Sequence, residues 1–511
     1  MEKINIKNKI LQLFSTINLC LVTLTAQYTL HLNKKRSDEG QNYNNHRNKV
    51  VFLNLLRRTM DRLKVLGGAM FAIALAHASA NASEDITQPQ GWLLQSINDN
   101  PLGIQVSGWA QASVAGSNHG GQMTPATILR RDEGITLDQA AITIEKKIKS
   151  NIASRVGPFP RDMPKAFDWG FNITGMYGAD NFFFRTYGLD DDWGSNKVGN
   201  FDSSDIYASL TQAYAEFYFP VLGGSNLMLG LFHTPLANEI GFALPAPAPT
   251  TFYTHPYSFI HGPAKHVGTL WSSHIFNNPD SAKLSYEVGA VRGYNNLQDP
   301  NDDWDAIANL RWRSKDFSLW VDFENIYGNG ADDSFSKCGC GSPIPASSAL
   351  AKDDYLTRYQ SYLTITKFLD PKNIVTAEAS YGYQEKALLT DIFNQEPYGI
   401  PKQGGKDASW YGLNVSYNHI INSQLSSALR AEYFNTDGVH VLVPYEGIYK
   451  AVTANVTWNP KPYLRIRPEI RYDRYSGNYK PFAAKDNALP PWVNGTEDDQ
   501  LSYSLDLTFF F

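Results

Sequence analysis

The feature that most constrains this chain is a two-residue alternation of apolar and polar side chains, recurring in stretches of about ten residues from Leu102 to the C-terminus. Successive side chains of a strand point to opposite faces, so each stretch has one oily face and one wet face. The last stretch is the clearest: Leu501, Tyr503, Leu505, Leu507, Phe509 and Phe511 share one face, and Ser502, Ser504, Asp506, Thr508 and Phe510 share the other. Likewise Phe317, Leu319, Val321 and Phe323 oppose Ser318, Asp322 and Glu324, and Val452, Ala454, Val456 and Trp458 oppose Thr453, Asn455 and Thr457. The alternation predicts sixteen strands, at 103–115, 135–148, 167–179, 207–219, 226–234, 266–276, 282–294, 306–315, 317–328, 355–368, 374–387, 409–420, 425–436, 447–460, 464–476 and 501–511.

The connections alternate in length. Short ones fall near Val221, Asn277, Ser314, Asp370, Asn422 and Asn459, and long ones at 180–206, 235–265, 295–305, 329–354, 388–408, 437–446 and 477–499. A two-layer sandwich has no reason to put short turns on one rim and long loops on the other, whereas a membrane barrel does. One connection, 149–166, is long where a tight turn is expected. After residue 82 no apolar run is long enough for a spanning helix, which needs about 18 residues or more, so a membrane role requires strands. Lipid cannot satisfy a free strand edge, and a spanning sheet must therefore close on itself. The expected fold is all-β: a transmembrane antiparallel up-and-down β-barrel of about sixteen strands over 102–511, with apolar residues outward and polar ones around a water-filled interior.

Upstream, Arg62 and Lys64 precede an apolar run from Val65 to Ala76 and small residues at Ala78, Ala80 and Ala82, so 60–82 reads as a secretory signal peptide starting at Met60. Residues 1–59 then read as an extension upstream of the real start or a disordered leader, and 83–101 as a short periplasmic segment. Charge divides at the same place. Residues 1–82 hold 12 Lys/Arg and 4 Asp/Glu, leaving 33 basic and 46 acidic groups beyond, a net of −13 that excludes nucleic acid as a partner.

Strand parity assigns the interior. In 464–473 the residues Leu464, Ile466, Pro468, Ile470 and Tyr472 face lipid, so Arg465, Arg467, Glu469, Arg471 and Asp473 face inward. An arginine at the lipid midplane would cost about 2–4 kcal/mol, which favours this assignment. The same parity turns Arg311, Arg313, Asp322, Glu324, Glu378, Arg430 and Glu432 inward. These charges read either as a screened electrostatic filter or as wall salt bridges that stiffen the barrel. The long loop 235–265 is the most proline-rich segment, with Pro245, Pro247 and Pro249. By analogy with sixteen-stranded general porins it folds inward as a constriction and brings Glu239, His255, His261 and Lys265 to the arginine wall; otherwise it packs on the outer rim.

Other chemistry is thinly supported. His255, His261 and His266 lack a strong ligand spacing, Cys338 and Cys340 are too close for an unstrained bond, and Asp299, Asn301, Asp303 and Asp305 lack the turn glycine and closing glutamate of a calcium loop. No Gly-x-Ser-x-Gly motif is present, and the sequence gives no reason to expect an enzyme, metal or cofactor.

Two stretches resemble known families. Tyr503, Leu505, Leu507, Phe509 and the terminal Phe511 resemble the C-terminal signal by which the barrel assembly machinery recognises bacterial outer-membrane barrels. Residues Gln212–Phe219, Gly230–Glu239, Phe252–Phe259 and His266–Gly268 resemble the OmpL-like β-barrel porin family, porin-2. Members of that family carry a Gly shortly before the residue matching Glu239, where this chain has Ala237 and Asn238. The resemblance implies a Gram-negative outer-membrane porin, passing small hydrophilic solutes passively and exported through the periplasm. Its surroundings would be outer-membrane lipids and lipopolysaccharide, and a homotrimer follows by analogy with general porins. The alternatives are a substrate-selective channel with a binding constriction, and a non-conducting scaffold or adhesin.

Overall fold

The computed structural model describes residues 99–119, 134–182, 207–239, 252–260, 262–278, 280–298, 303–328, 357–385, 407–437, 446–482 and 496–511, with short pieces between 184 and 193 and at 389–390 and 402–403. Sixteen strands close into one antiparallel barrel in chain order. They are β1 (Gln105–Ser117), β2 (Gly134–Lys146), β3 (Asp168–Gly178), β4 (Tyr207–Phe219), β5 (Ser225–His233), β6 (Lys265–Phe276), β7 (Lys283–Val291) and β8 (Asp305–Arg313), followed by β9 (Leu319–Gly328), β10 (Arg358–Asp370), β11 (Asn373–Gln384), β12 (Ala408–Ile420), β13 (Leu425–Thr436), β14 (Gly447–Lys461), β15 (Leu464–Gly477) and β16 (Asp499–Phe510). Each lies within three residues of the range read from the alternation. The seam joins β1 to β16 from Trp109↔Phe510 to Ser117↔Ser502. Beyond it, Phe511 exchanges both backbone hydrogen bonds with Gly108 (2.9 and 3.0 Å), and its ring covers the space a Cβ at Gly108 would need.

The two faces are those of a protein solvated by lipid. Ile142, Ile173, Leu310, Phe323, Leu413, Leu429, Val452, Ile470 and Leu507 are exposed, whereas their chain neighbours Thr143, Asn172, Arg311, Glu324, Asn414, Arg430, Thr453, Arg471 and Asp506 are buried. In water a continuous apolar band of this kind would drive aggregation; in a bilayer it meets acyl chains. Aromatic side chains ring both ends of the band, with Tyr177, Tyr327, Tyr381, Tyr411 and Tyr472 toward the long loops and Trp169, Phe276, Tyr417 and Trp458 toward the short turns.

The short turns are tied down locally. Asp316 Oδ1 accepts from Ser314 Oγ (2.6 Å), Ser318 N (3.1 Å) and Ser318 Oγ (3.0 Å). These bonds to the charged form hold its carboxyl down at about 2. The long connection between β2 and β3, on this same rim, folds inward instead: Ile152–Ala153 pairs with Gly157–Pro158 as a small hairpin inside the barrel.

Candidate functional site

All the inward charges read from parity lie inside the barrel, and their partners are mostly one another. Arg311 on β8 binds Glu287 of β7 (2.9 Å) and Glu324 of β9 (2.6 Å), and Arg313 binds Asp322 (2.6 Å). On β13, Arg430 binds Glu432 (2.9 Å), which also receives Arg471 of β15 (2.6 Å). Arg471 in turn holds Asp473 (2.9 Å), and Arg467 holds Asp506 of β16 (2.7 Å). Arg465 reaches Thr508 Oγ1 (3.2 Å) and lies over the Phe510 ring. The arginine side chains in these ion pairs are 0–3% exposed. A charge so buried is stable only where partners surround it, and each of these has them.

What covers this wall is the loop between β5 and β6. Thr234 N donates to Ala264 O (3.0 Å) and closes its base. From there the backbone donates to successive wall carboxylates: Ala237 N to Glu324 (2.8 Å), Asn238 N to Glu378 (2.7 Å), Tyr253 N and Thr254 N to Glu469 (2.7 and 2.9 Å), and Tyr257 N to Glu432 (3.1 Å). Arg311 donates to Pro235 O (2.7 Å), and Tyr257 Oη to Asp473 (2.8 Å). Segments 234–239 and 252–260 therefore lie inside the barrel, seated on β8–β15 and touching β1–β3 where Tyr253 Oη meets Ser113 Oγ (3.0 Å) and Phe259 packs against Trp109, Ala141 and Met176. Ala237 takes a left-handed φ of 66°.

The loop residues divide. Glu239 binds Arg430 (2.6 Å) and lies 3.2 Å from His255 Nδ1, whose ring stacks on Phe259 at 4.6 Å. Burial raises the Glu239 carboxyl, but Arg430 and His255 outweigh it and hold the group below the usual glutamate value. Lys265 does not join them. It is the first residue of β6, and its ammonium is buried against Leu210 O (2.6 Å) and Asp190 (3.4 Å). His261 lies outside the described residues, as do Pro245–Pro249, Cys338, Cys340, Asp299 and Asn301.

The hairpin between β2 and β3 rises along β4–β9 from the opposite rim. Ser150 Oγ donates to Asn226 Oδ1 (2.9 Å), Asn226 Nδ2 to Ile152 O (2.8 Å), and Ser154 Oγ to Glu216 (2.9 Å). Arg313 donates to Val156 O (2.7 Å), while Arg311 crowds Gly157. At the tip, Arg155 N donates to Glu287, midway along β7. Loop and hairpin thus meet successive inward arginines of β8. Sequence reasoning missed Glu287, Glu216, Asp506 and this hairpin as parts of the site. Parity alone marks the three carboxylates inward, and the excess length of 149–166 was the signal for the hairpin.

On the last strand, Tyr503, Leu505, Leu507 and Phe509 share the outward face, with Leu507 and Phe509 exposed and the Tyr503 ring packed over Gly116.

A closed sixteen-stranded barrel, oily outside and polar within, with a loop folded inside it, defines the class of outer-membrane channels. A family model described as "Putative beta-barrel porin-2, OmpL-like" matches residues 103–511, and the chain belongs to that family. It is an outer-membrane porin, and this fold and family are those of a channel rather than an enzyme. No curated protein matches it in sequence. Among solved structures it is similar to the outer membrane channel DcaP of Acinetobacter baumannii (10% identity, 80% of this chain and 97% of that one, TM-score 0.46). It is also similar to an anion-selective porin from Comamonas acidovorans (9%, 80% and 99%, 0.44) and to Salmonella typhi OmpF in complex with daunomycin (11%, 80% and 97%, 0.44).

Proposed function

We propose that the barrel is a passive diffusion channel for small hydrophilic solutes, narrowed midway by the loop 234–264. The observation that carries this reading is the asymmetry of the interior. The described loop segments seat on the arginine-bearing wall of β8–β15 and reach β1–β3 only through Tyr253 and Phe259, while Glu145, Gln212 and Tyr214 on the β2–β4 wall stay partly exposed and border the proposed path. Glu239, His255 and, from the sequence, His261 belong to the constriction, and the ladder Arg465, Arg467 and Arg471 serves chiefly as its seat. Swelling of liposomes loaded with the purified protein tests this: sugars, amino acids, urea and organic acids should enter in order of size. A second reading, a substrate-selective channel, is favoured by two inserts that reach successive arginines of β8 inside one barrel; a solute that enters out of size order supports it.

The homotrimer is part of the proposal. The outward faces of β1–β4 carry the small residues Ala110, Ala112, Ala140, Gly175, Ala213 and Ala215, which supports a protein-facing strip there, in contrast to Leu310, Phe323 and Leu413 elsewhere. The native mass of the detergent-solubilised protein decides it. Export through the periplasm with removal of 60–82, and recognition of Tyr503–Phe511 by the assembly machinery, complete the proposal, with outer-membrane lipid and lipopolysaccharide as surroundings. N-terminal sequencing of the mature protein tests the first, and loss of surface protein on deletion of Phe511 tests the second.

A further inference from the structure

Arg155 differs in its backbone from the other described arginines inside the barrel. Its φ of 73° is a backbone conformation that side-chain-bearing residues seldom adopt, and it persists only where the surroundings impose it. Its guanidinium meets neutral acceptors, Gln212 Oε1 at 2.9 Å and Tyr214 Oη at 3.5 Å, and lies 5.6 Å from the Tyr214 ring. Its buried Nε has no hydrogen-bond partner. The carboxylates nearby accept hydrogen bonds from other donors, and of them Glu216 also lies within the field of the Arg155 charge. Glu216 accepts from Ser154 (2.9 Å) and Asn226 (3.1 Å). Glu287 accepts from Arg311 (3.0 Å), Asn309 (3.0 Å), Ser272 (3.2 Å) and the backbone N–H of Arg155 itself. Glu145 is held by Lys147 (3.1 Å) and Asn172 (3.2 Å).

We propose that Arg155 is an anion-coordinating, selectivity-determining residue of the channel, taking chloride or the carboxylate of a small organic acid beside the Tyr214 hydroxyl and the Gln212 amide. This rests on the channel reading. A guanidinium with open donors, partly screened from water, attracts anions more strongly than one already bonded to a carboxylate. The hairpin delivers it from the opposite rim to the β4 wall, where Gln212 and Tyr214 are only partly buried, and the strained backbone at the tip fixes where it points.

The test is the reversal potential of single channels in a planar bilayer under a KCl gradient. Arg155→Gln is expected to lower the chloride-to-potassium permeability ratio by about threefold, and Arg155→Lys to retain most of it. Arg161→Gln removes the same charge from an exposed site on the same segment, so it leaves the ratio unchanged. Arg155→Gly, which accepts the positive φ freely, repeats the charge removal if the glutamine variant folds poorly. Saturation transfer from the detergent-solubilised protein to acetate methyl protons should be lost in Arg155→Gln and in Arg155→Gly. An unchanged ratio in a conducting Arg155→Gln channel, or acetate saturation that survives the substitution, overturns the proposal. A wild-type protein without current overturns the channel reading instead, and the acetate measurement then decides the site by itself.

Discussion

The loop 234–264 enters the barrel from the long-loop end and gives its backbone N–H groups to Glu324, Glu378, Glu432 and Glu469, whereas the hairpin 149–166 enters from the short-turn end with a guanidinium that is hydrogen-bonded to Gln212 and Tyr214. Both fill the same interior, yet charge does opposite work in them. Under the loop, arginines and carboxylates neutralise one another and fix a wall. At the hairpin tip, one charge is kept available. The density of arginine in a lumen is therefore a poor guide to its ion preference; what counts is which charges still have open donors.

The largest test of this contrast is Glu432→Ala, which strips a carboxylate shared by Arg430 and Arg471 and leaves both buried charges short of a partner. It should cost about 3–5 kcal/mol, read as a lower urea midpoint in detergent. A stability equal to wild type would mean that the loop and wall are not coupled. Next comes Glu469→Ala, which removes the acceptor of Tyr253 N, Thr254 N and Thr254 Oγ1 and should cost about 1.5–3 kcal/mol. Its channel should show a larger single-channel conductance with an unchanged reversal potential, the converse of the Arg155 variants. If both quantities move together, the division of labour fails.

Smaller effects sharpen the comparison at the backbone. Ala237→Gly relieves a left-handed φ and should stabilise the barrel by about 1 kcal/mol, measurable by thermal unfolding, whereas Arg155→Gly relieves one but also gives up the bonds of the guanidinium to Gln212 and Tyr214. Only the second should alter ion preference. The smallest effect separates both inserts from an ordinary turn of the short rim. Because the Asp316 carboxyl is held at about 2, below its usual 3.8, its contribution is fully present above the usual value and is lost only as pH falls through about 2. Backbone amide exchange at Ser318 should stay slow from pH 7 to pH 4, and acceleration in that window would contradict the hydrogen bonds drawn to it.

The sequence was informative wherever a claim depended on neighbours along the chain. Arg471 points inward because Ile470 and Tyr472 point out, and no distant contact is needed to know it. The alternation also set the number of strands. It could not show that Tyr253 lies on Glu469, 216 residues away, or that Arg430 holds Glu239 across 191. Nor could it reveal that Lys265 would leave the loop to begin β6 beside Asp190.

Closure, strand count and the facing of each side chain followed from local order alone, since lipid outside and water inside impose one rule on every strand in turn. Which arginine is neutralised and which is left with open donors was decided in the folded barrel, because pairing across an interior depends on loops whose course is set by contacts far apart in the chain.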